Sequence, residues 1–251
     1  METKPHISVI TVVYQAEKLV AKTMQSINSQ SIRGRIESVV VDGASTDRTA
    51  EIVRPMQHEG DRFLSERDQG IYDAMNKGVQ LARGEYIIFI NAGDELFDAH
   101  SLENMLRVAE HCDVYYGETA IIDEAGKILG SRRLQPPKNL TWKSLRFGMC
   151  VSHQSILARR SIAPQFDLQY RISSDIDWTI RLLQQAQSVA YVDGYVSKFL
   201  IGGVSSSRRK KGLQERWSIL SKHFGFLPNF IHHIWITLRF ILQRITRKQM
   251  N

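Results

Sequence analysis

Residues 7–13 read ISVITVV, a run rich in β-branched residues that predicts a buried strand. In the segment that follows, apolar residues recur at helical spacing, at Leu19, Val20, Met24 and Ile27. Further predicted strands, separated by predicted helices, lie at 38–41, 63–64 and 86–90. Four strand–helix repetitions in the first hundred residues predict an α/β fold with a mostly parallel sheet and helices on its faces.

The second half of the chain has a less regular pattern. Its predicted elements are strands at 114–117 and 155–157, a hairpin joining 121–122 to 127–129, and a helix beginning at Ser174 or Asp175. A polar, basic segment then predicts a hinge. We therefore expect one domain over 1–204, divided into halves at 1–97 and 98–204, and a basic amphipathic helical tail over 205–251.

Charge also divides the chain between its body and its tail. The net charge is +7, yet residues 1–200 hold 23 Lys and Arg against 25 Asp and Glu. Residues 201–251 hold ten basic residues against one acidic residue, Glu215. Because the basic excess is confined to the tail, we expect no nucleic-acid partner.

Several protein classes are excluded by what the sequence lacks. Two cysteines, Cys112 and Cys150, are too few for a disulfide framework and fit a reducing compartment. The first residues enter a strand without the pattern of a secretory signal, so we expect a cytoplasmic protein. No serine lies in a nucleophile-elbow pattern and no Cys or His spacing indicates zinc.

Polar residues cluster where the strands of the first half end. Thr11 and Tyr14 are assigned to the end of the first strand, Asp42 to the end of the second and Asp94 to the end of the fourth. Ligands of open α/β sheets bind outside the carboxyl ends of the strands. This placement predicts a site of nucleotide size.

Each carboxylate in this set also has a structural interpretation. Asp94 could bind Mg²⁺ or Mn²⁺, which prefer oxygen ligands, or it could complete the turn Asn91-Ala-Gly-Asp94. Asp42 could contact a base or ribose, or close an Asx-turn. Asp175 could be a helix N-cap or a general base, and His153 a structural or a catalytic residue.

Five segments taken together resemble the family-2 nucleotide-sugar glycosyltransferases with a GT-A fold, a Rossmann-like sheet with helices on both faces. They are ISVITVVYQ, VVVDGASTDRTAEIV, SERDQGIYDAMNKGVQLARGEYIIFINAGD, SHQSILARR and SSDIDWTIRLL, and the match covers about residues 6–203. Within the family, the GIYDAMNKG subgroup resembles bacterial enzymes for exopolysaccharides such as colanic acid.

The resemblance implies a role for each matching residue of the 1–97 half, which would bind the nucleotide-sugar. The nucleoside would be held by Thr11, Tyr14 and Asp42. Asp68 would lie beside the diphosphate or ribose, and Gly70 would also bind the nucleotide-sugar.

For the reaction itself, the resemblance implies that Asp94 binds the metal, Mg²⁺ or Mn²⁺, and that Asp175 deprotonates the acceptor hydroxyl. Arg181 would brace the helix of Asp175. The acceptor side, in the 98–204 half, would be lined by His153, Asp177 and Trp178.

Two departures from the family pattern matter. Asn91 stands where a full DXD-type motif has its first Asp, so metal binding would depend more on the donor diphosphate and be weaker. Met75 precedes Asn76 where the familiar ARN segment has Arg, so donor contacts of other branches do not transfer.

We therefore expect an inverting glycosyltransferase of cell-surface polysaccharide biosynthesis. Its donor would be a nucleotide-diphospho-sugar, UDP favoured and GDP possible, and its acceptor a polysaccharide or lipid-linked oligosaccharide. A nucleotidyltransferase would need a Gly-rich, lysine-containing loop, which VVYQAEKL lacks. The single-carboxylate motif leaves open a non-catalytic, membrane-associated nucleotide-binding adaptor with a degenerate fold, and an oligomer is possible.

The tail has an amphipathic pattern of its own. From Phe230 to Ile245 most apolar residues fall within an arc of roughly 140°, with Arg and His mostly outside it. The pattern predicts contact of 208–248 with an anionic membrane, at the inner face of the cytoplasmic membrane, and His and Arg interruptions argue against a spanning helix. The alternative is that the stripe packs on the catalytic domain or a second subunit.

Overall fold

The structure, a computed structural model, describes residues 5–202 and 209–230. The strands are β1 Ile7–Val13, β2 Ile36–Asp42, β3 Arg62–Ser65, β4 Tyr86–Phe89, β5 Glu95–Leu96, β6 Val114–Ile122, β7 Ile128–Ser131, β8 Ile156–Arg159 and β9 Val189–Leu200. The helices that bear on the site are α1 Val20–Asn28, α2 Thr49–Val53, α3 Ile71–Leu81, α4 Ser101–Arg107, α5 Ser174–Gln185 and α6 Arg209–Phe224.

The strands form one sheet in the order β3-β2-β1-β4-β8-β6-β9-β5, with β7 paired to β6. The first four strands are parallel, as the sequence predicts. β8 lies antiparallel between β4 and β6, whereas β6 and β9 are parallel. The second half therefore makes the sheet mixed, while the first half provides a shared carboxyl edge.

Register brings the ends of three strands together at that edge. Asp42, the last residue of β2, pairs with Val13 of β1 and with Ser65 of β3. The loops that follow these three strands therefore leave the sheet side by side. This alignment gathers the predicted nucleotide-binding residues at one place.

Apolar cores lie on both faces of the sheet, because its central strands are buried on both sides. Alternate residues of β1 divide between them, with Ile10 and Val12 in one core and Val9 and Val13 in the other. The first core also receives side chains of α3, α5 and α6. The second receives side chains of α1, α2 and α4. Helices therefore cover both faces, as expected.

Part of the predicted tail is packed against the main body. Ile219 and Leu220 of α6 are buried in the same core as α3 and α5. Phe224 stacks on Trp142, with ring centroids 5.3 Å apart. Of the predicted amphipathic stripe, only Phe230 is within the described residues. No helix in the described part of the chain is long and apolar enough to span a membrane.

Candidate active site

The loops at the carboxyl edge place Tyr14, Gly43 and Asp68 next to one another. A Cβ atom added at Gly43 would lie 2.5 Å from Asp68 Oδ2 and 3.3 Å from Tyr14 Cδ2. Glycine at this position therefore permits the close approach of the two side chains. The Tyr14 ring is 66% exposed beyond the end of β1, so it is available to a planar ligand group.

Asp42 has a structural task at this edge. The side chain is fully buried and accepts hydrogen bonds from Ser65 Oγ at 2.6 Å and from the Ser45 amide at 3.1 Å. The second bond closes an Asx-turn, which is one of the two roles that the sequence allows for Asp42. Asp42 thus shapes the loop that carries Gly43, and a contact with the nucleoside stays a prediction.

Thr11 lies inside β1 rather than at its end. It pairs with Val40 in the middle of the strand and has no exposed surface. Its Oγ1 has no hydrogen-bond partner among the described residues. The direct contact with a nucleoside that the resemblance implies does not fit this position, because Thr11 is buried and Val12 and Val13 lie between it and the carboxyl end of β1.

Asp68 and Gly70 order the loop before α3. Asp68 Oδ1 accepts a hydrogen bond of 2.8 Å from the Gly70 amide. Gly70 has φ +123°, a conformation that L side chains rarely adopt, so glycine is required where the loop turns into α3. The Arg171 guanidinium donates to the Gln69 carbonyl and connects this loop to the segment before α5.

Asp175, on the second residue of α5, has a side chain that is 23% exposed. Its Oδ1 accepts hydrogen bonds from Tyr72 Oη at 3.2 Å and from the Ile176 amide at 3.0 Å, and its Oδ2 lies 3.5 Å from His153 Nδ1. Burial acts to raise the pKa of Asp175, but His153, the charge of Arg132 and the Tyr72 hydroxyl outweigh it and hold the pKa below its usual value. The carboxylate is therefore ionised at neutral pH, as a general base requires.

Tyr72 and His153 connect Asp175 to two other segments. The Tyr72 hydroxyl is 2.9 Å from the Ile172 carbonyl, so its proton is shared between Ile172 and Asp175. Burial and the Asp175 charge raise the pKa of Tyr72 well above its usual value, which keeps the hydroxyl a donor. His153 Nε2 lies 3.3 Å from Asn91 Nδ2. His153 therefore bridges the Asp175 helix and the loop after β4.

Asp94, in that loop, is buried with 5% of its surface exposed. Its Oδ2 accepts a hydrogen bond of 2.7 Å from Gln154 Nε2, and its Oδ1 accepts one of 3.1 Å from the Leu200 amide. Burial raises the pKa of Asp94 to about 6, although these bonds oppose the rise. Asp94 and Asp175 are thus both anionic at neutral pH, with pKa values displaced in opposite directions.

The residues around Asp94 fit a metal that shares its ligands with substrate. The Asn91 Oδ1 atom is buried and has no hydrogen-bond partner in the described ranges. Those same ranges contain no group of three or more His, Cys, Asp or Glu side chains able to hold a metal. One carboxylate and one amide oxygen do not make a closed cage, but Mg²⁺ sites often use one or two protein oxygens together with substrate phosphates.

Arg132 is a site residue that the sequence did not reveal, because it lies in an irregular loop. It is half-buried and donates to Ser152 Oγ at 2.9 Å. Its charge lowers the pKa of both Asp94 and Asp175. The hydroxyl of Ser152 bonds Gln154, which in turn holds Asp94. The site therefore contains a cation near both of its acids.

Tyr72 and Gln154 were also missed as partners of the two acids. Each lies inside a segment that the sequence singled out, but its contact spans 103 residues for Tyr72–Asp175 and 60 for Gln154–Asp94. Periodicity cannot reveal pairings of that separation. For these two pairings, the sequence showed only that Asp175 lies at the start of a predicted helix.

Asp177 and Trp178 are both fully buried, which does not fit the direct contact with an acceptor that the resemblance implies for them. Asp177 has no exposed surface and accepts hydrogen bonds from Arg181 Nε at 2.6 Å and from His223 Nε2 at 2.8 Å. Lys222 Nζ is 3.4 Å away. Although burial acts to raise it, these partners lower the pKa of Asp177 to about 2. Asp177 therefore ties α5 to α6.

Trp178 is equally inaccessible. Its ring stacks on Phe166 with centroids 5.2 Å apart, and its Nε1 donates to the Pro164 carbonyl at 2.7 Å. A side chain without exposed surface cannot contact an acceptor unless the core rearranges. Of the three residues expected on the acceptor side, only His153 contacts the proposed base.

Comparisons with known proteins agree with this fold. The model of Glycosyl transferase family 2 matches residues 8–163. A PGL/p-HBAD biosynthesis glycosyltransferase of Mycobacterium bovis (strain BCG / Pasteur 1173P2) is 32% identical over 215 residues, covering 81% of this chain and 80% of the relative. An uncharacterized glycosyltransferase of Methanocaldococcus jannaschii is 24% identical over 244 residues, covering 92% of this chain and 84% of the relative.

Solved structures of similar fold include S. aureus TarS 1–349 in complex with UDP, with a TM-score of 0.67 and 17% identity over 86% of this chain. The same protein in complex with UDP-GlcNAc has a TM-score of 0.67 and 18% identity over 89% of this chain. The chain spans 64% of the first TarS chain and 72% of the second. Since the family model matches more than half of the sequence and the fold is that of these GT-A structures, the chain belongs to glycosyl transferase family 2.

Proposed function

We propose that the protein is an inverting glycosyltransferase that moves a sugar from a UDP-sugar to a hydroxyl of a polysaccharide or lipid-linked oligosaccharide. The observation that carries the proposal is the ionised, partly exposed Asp175, held between Tyr72 and His153. Asp177, by contrast, is a structural carboxylate that has no exposed surface and is paired with cations.

The donor would bind at the carboxyl edge of β1, β2 and β3. Tyr14 offers an exposed ring for the base, while Asp42 holds the loop and Gly43 leaves room for Asp68 beside it. The TarS structures of similar fold were solved with UDP and UDP-GlcNAc, which favours a UDP-sugar over a GDP-sugar. We assign Gly70 to the diphosphate side, because it orders the loop that carries Asp68.

Asp94 and Asn91 would hold Mg²⁺ or Mn²⁺ together with the donor diphosphate. The metal would supply positive charge against the nucleoside diphosphate as it departs. Arg132 adds a fixed cation to the same region, since its charge acts on both Asp94 and Asp175. A site with one metal-binding carboxylate would benefit from this second source of positive charge.

Asp175 would take the proton of the acceptor hydroxyl as that oxygen bonds the anomeric carbon. The bond from the anomeric carbon to the diphosphate breaks in the same step, and its electron pair leaves with the UDP. A single displacement inverts the anomeric centre and needs no covalent nucleophile on the protein. His153 and Tyr72 would keep the carboxylate directed at the acceptor throughout.

We also propose that the protein acts at a membrane surface. The described end of the tail exposes Phe226, Leu227 and Phe230, at 65%, 66% and 46% of their surface. Exposed aromatic and aliphatic side chains on a basic segment suit an anionic lipid surface. Flotation with phosphatidylglycerol vesicles should exceed flotation with phosphatidylcholine vesicles, and should fall in a Phe226→Ser, Leu227→Ser variant. Equal flotation with both lipids would contradict membrane recruitment.

A donor screen tests the enzymatic proposal. Nucleotide release is measured from a panel of UDP- and GDP-sugars, each with MnCl₂, with MgCl₂ and with EDTA. We expect a UDP-sugar to support release that EDTA suppresses. Binding of UDP without release from any donor or with any acceptor preparation would instead support the non-catalytic adaptor.

A further inference from the structure

The helix α6, at the start of the basic tail, sends one acidic side chain into the body of the protein. Glu215 is 8% exposed, and its carboxylate accepts three backbone hydrogen bonds. They come from the amides of Arg171, Ile172 and Ser173, at 2.9, 2.8 and 2.9 Å. These three residues directly precede α5, on which Asp175 is the second residue.

Residues of the 1–97 half also bind the same three-residue segment. Arg171 donates to the Gln69 carbonyl, and the Ile172 carbonyl accepts from the Tyr72 hydroxyl at 2.9 Å. Tyr72 shares that proton with Asp175. A displacement of Ile172 would therefore shift the Tyr72 hydroxyl and, through it, the carboxylate of Asp175.

We propose that Glu215 is a positioning residue for the base, and that α6 is therefore a functional part of the active site rather than a spacer to the tail. The inference rests on the role of Asp175 proposed above. Glu215 contacts no reacting atom on this account. It fixes three consecutive amides, and the conformation of these amides sets where α5 begins.

A second contact of α6 supports this assignment. Ser173 Oγ donates to the Gly212 carbonyl at 3.3 Å, and a Cβ added at Gly212 would lie 3.2 Å from Ile172 Cγ2. Glycine in a helix interior usually costs stability relative to alanine. Its presence here lets α6 lie close against the segment that Glu215 holds.

His223 provides a matched control on the same helix. It also connects α6 to α5, through Asp177, but in the described part of the chain no hydrogen bond joins it to residues 171–173. If Glu215 acts only by anchoring α6, then Glu215→Asp and His223→Gln should have the same effects. If Glu215 positions the base, only Glu215→Asp should alter turnover beyond its effect on folding.

The test uses the full-length chain. Glu215→Asp keeps the charge but shortens the side chain by one methylene, so it cannot reach all three amides. We expect hydrogen–deuterium exchange at 171–173 to be about tenfold faster, since bonds to a charged acceptor are lost. We also expect kcat for UDP release from UDP-GlcNAc to fall at least tenfold, with the donor KM within about twofold. His223→Gln should lower the melting temperature and leave kcat within about twofold.

Gly212→Ala covers the case in which Glu215→Asp does not fold. Alanine favours the helix but presses on Ile172, so we expect a folded protein with kcat lowered about threefold. Unchanged exchange at 171–173 in Glu215→Asp would overturn the inference, as would equal kcat losses in Glu215→Asp and His223→Gln. The Asp175→Asn variant distinguishes a failure of this inference from a failure of the proposed function. Full activity of Asp175→Asn would refute Asp175 as the base. An inactive Asp175→Asn together with a fully active Glu215→Asp would refute only the positioning role of Glu215.

Discussion

The two faces of α5 carry the same residue type in two different environments. Asp175 is 23% exposed at its side chain and has partners from α3 and the loop before β8. Asp177, two residues later, has no exposed surface and faces Arg181, Lys222 and His223. Both have lowered pKa values, but by different means.

The two environments show how a structural carboxylate differs from a candidate catalytic one. Asp177 is surrounded by cations that compensate its charge in a closed environment, and removing one partner of such a buried pair would leave an uncompensated charge between the two helices. Asp175 has no Lys or Arg ion pair within the described residues and keeps accessible surface. An ionised acid that is oriented but not neutralised is suited to take a proton.

The largest effect should come from Asp175→Asn. An amide cannot accept the proton of the acceptor, so we expect kcat for nucleotide release to fall about a thousandfold. UDP binding, measured by calorimetry, should stay within about twofold, because Asp175 lies on the acceptor side of the proposed site. Loss of UDP affinity in step with loss of rate would move Asp175 to the donor site.

Asp94→Asn should lower metal-dependent release about a hundredfold, because the proposed metal loses its carboxylate.

The same change should stabilise the metal-free protein by about 1 kcal/mol at pH 7.5. Since folding raises the pKa of Asp94 to about 6, the stabilising protonated form is present at low pH and lost as the pH rises through 6. Melting curves in EDTA and UDP titrations with MnCl₂ check the two effects. Unchanged Mn²⁺-dependent UDP affinity would argue against Asp94 as a ligand.

Asp177→Asn should affect stability more than chemistry. Its pKa of about 2 in the folded state lies below the usual value of 3.8, so the ionised form contributes about 2 kcal/mol to the free energy of unfolding. This contribution is present above pH 4 and lost as the pH falls through 2. Urea denaturation at pH 7 measures the loss. The exposed pair Arg48–Glu51 provides a control, because Glu51→Gln should change stability by less than about 0.5 kcal/mol.

The smallest effect should come from Gly43→Ala. The added Cβ would lie 2.5 Å from Asp68 Oδ2, so Asp68 must move and UDP affinity should fall about threefold to tenfold. Gly34→Ala is the matched control, because a Cβ there meets no atom within 4 Å. If both variants bind UDP as well as the wild type, Asp68 does not contribute to the donor site in its present position.

Local pattern was sufficient for much of the first half of the fold. The β-branched run Ile7–Val13 forms β1 with the predicted limits, and α3 begins at Ile71 where its apolar stripe begins. Parallel order among the first four strands follows from the intervening helices. The sequence could not place β8 between β4 and β6, because an antiparallel insertion depends on packing between distant segments.

The sequence singles out a site residue where one segment supplies both the residue and its environment. Asp175 at a helix start and Asp94 after a buried strand are singled out in this way, and their roles stay predictions. Arg132 and Glu215 could not, since each lies in a segment without a site pattern and acts on residues about 40 positions away. The sequence does not distinguish the buried Asp177 from the partly exposed Asp175, because two acids at the start of one helix look alike until α6 is seen against one of them.

The most direct test of Asp175 as the base is the rate of UDP release by Asp175→Asn and Asp177→Asn, each divided by the fraction of folded protein. We expect Asp175→Asn to be at least a hundredfold slower than Asp177→Asn, although Asp177→Asn is the less stable protein. Equal rates per folded molecule would contradict the assignment of Asp175 as the base.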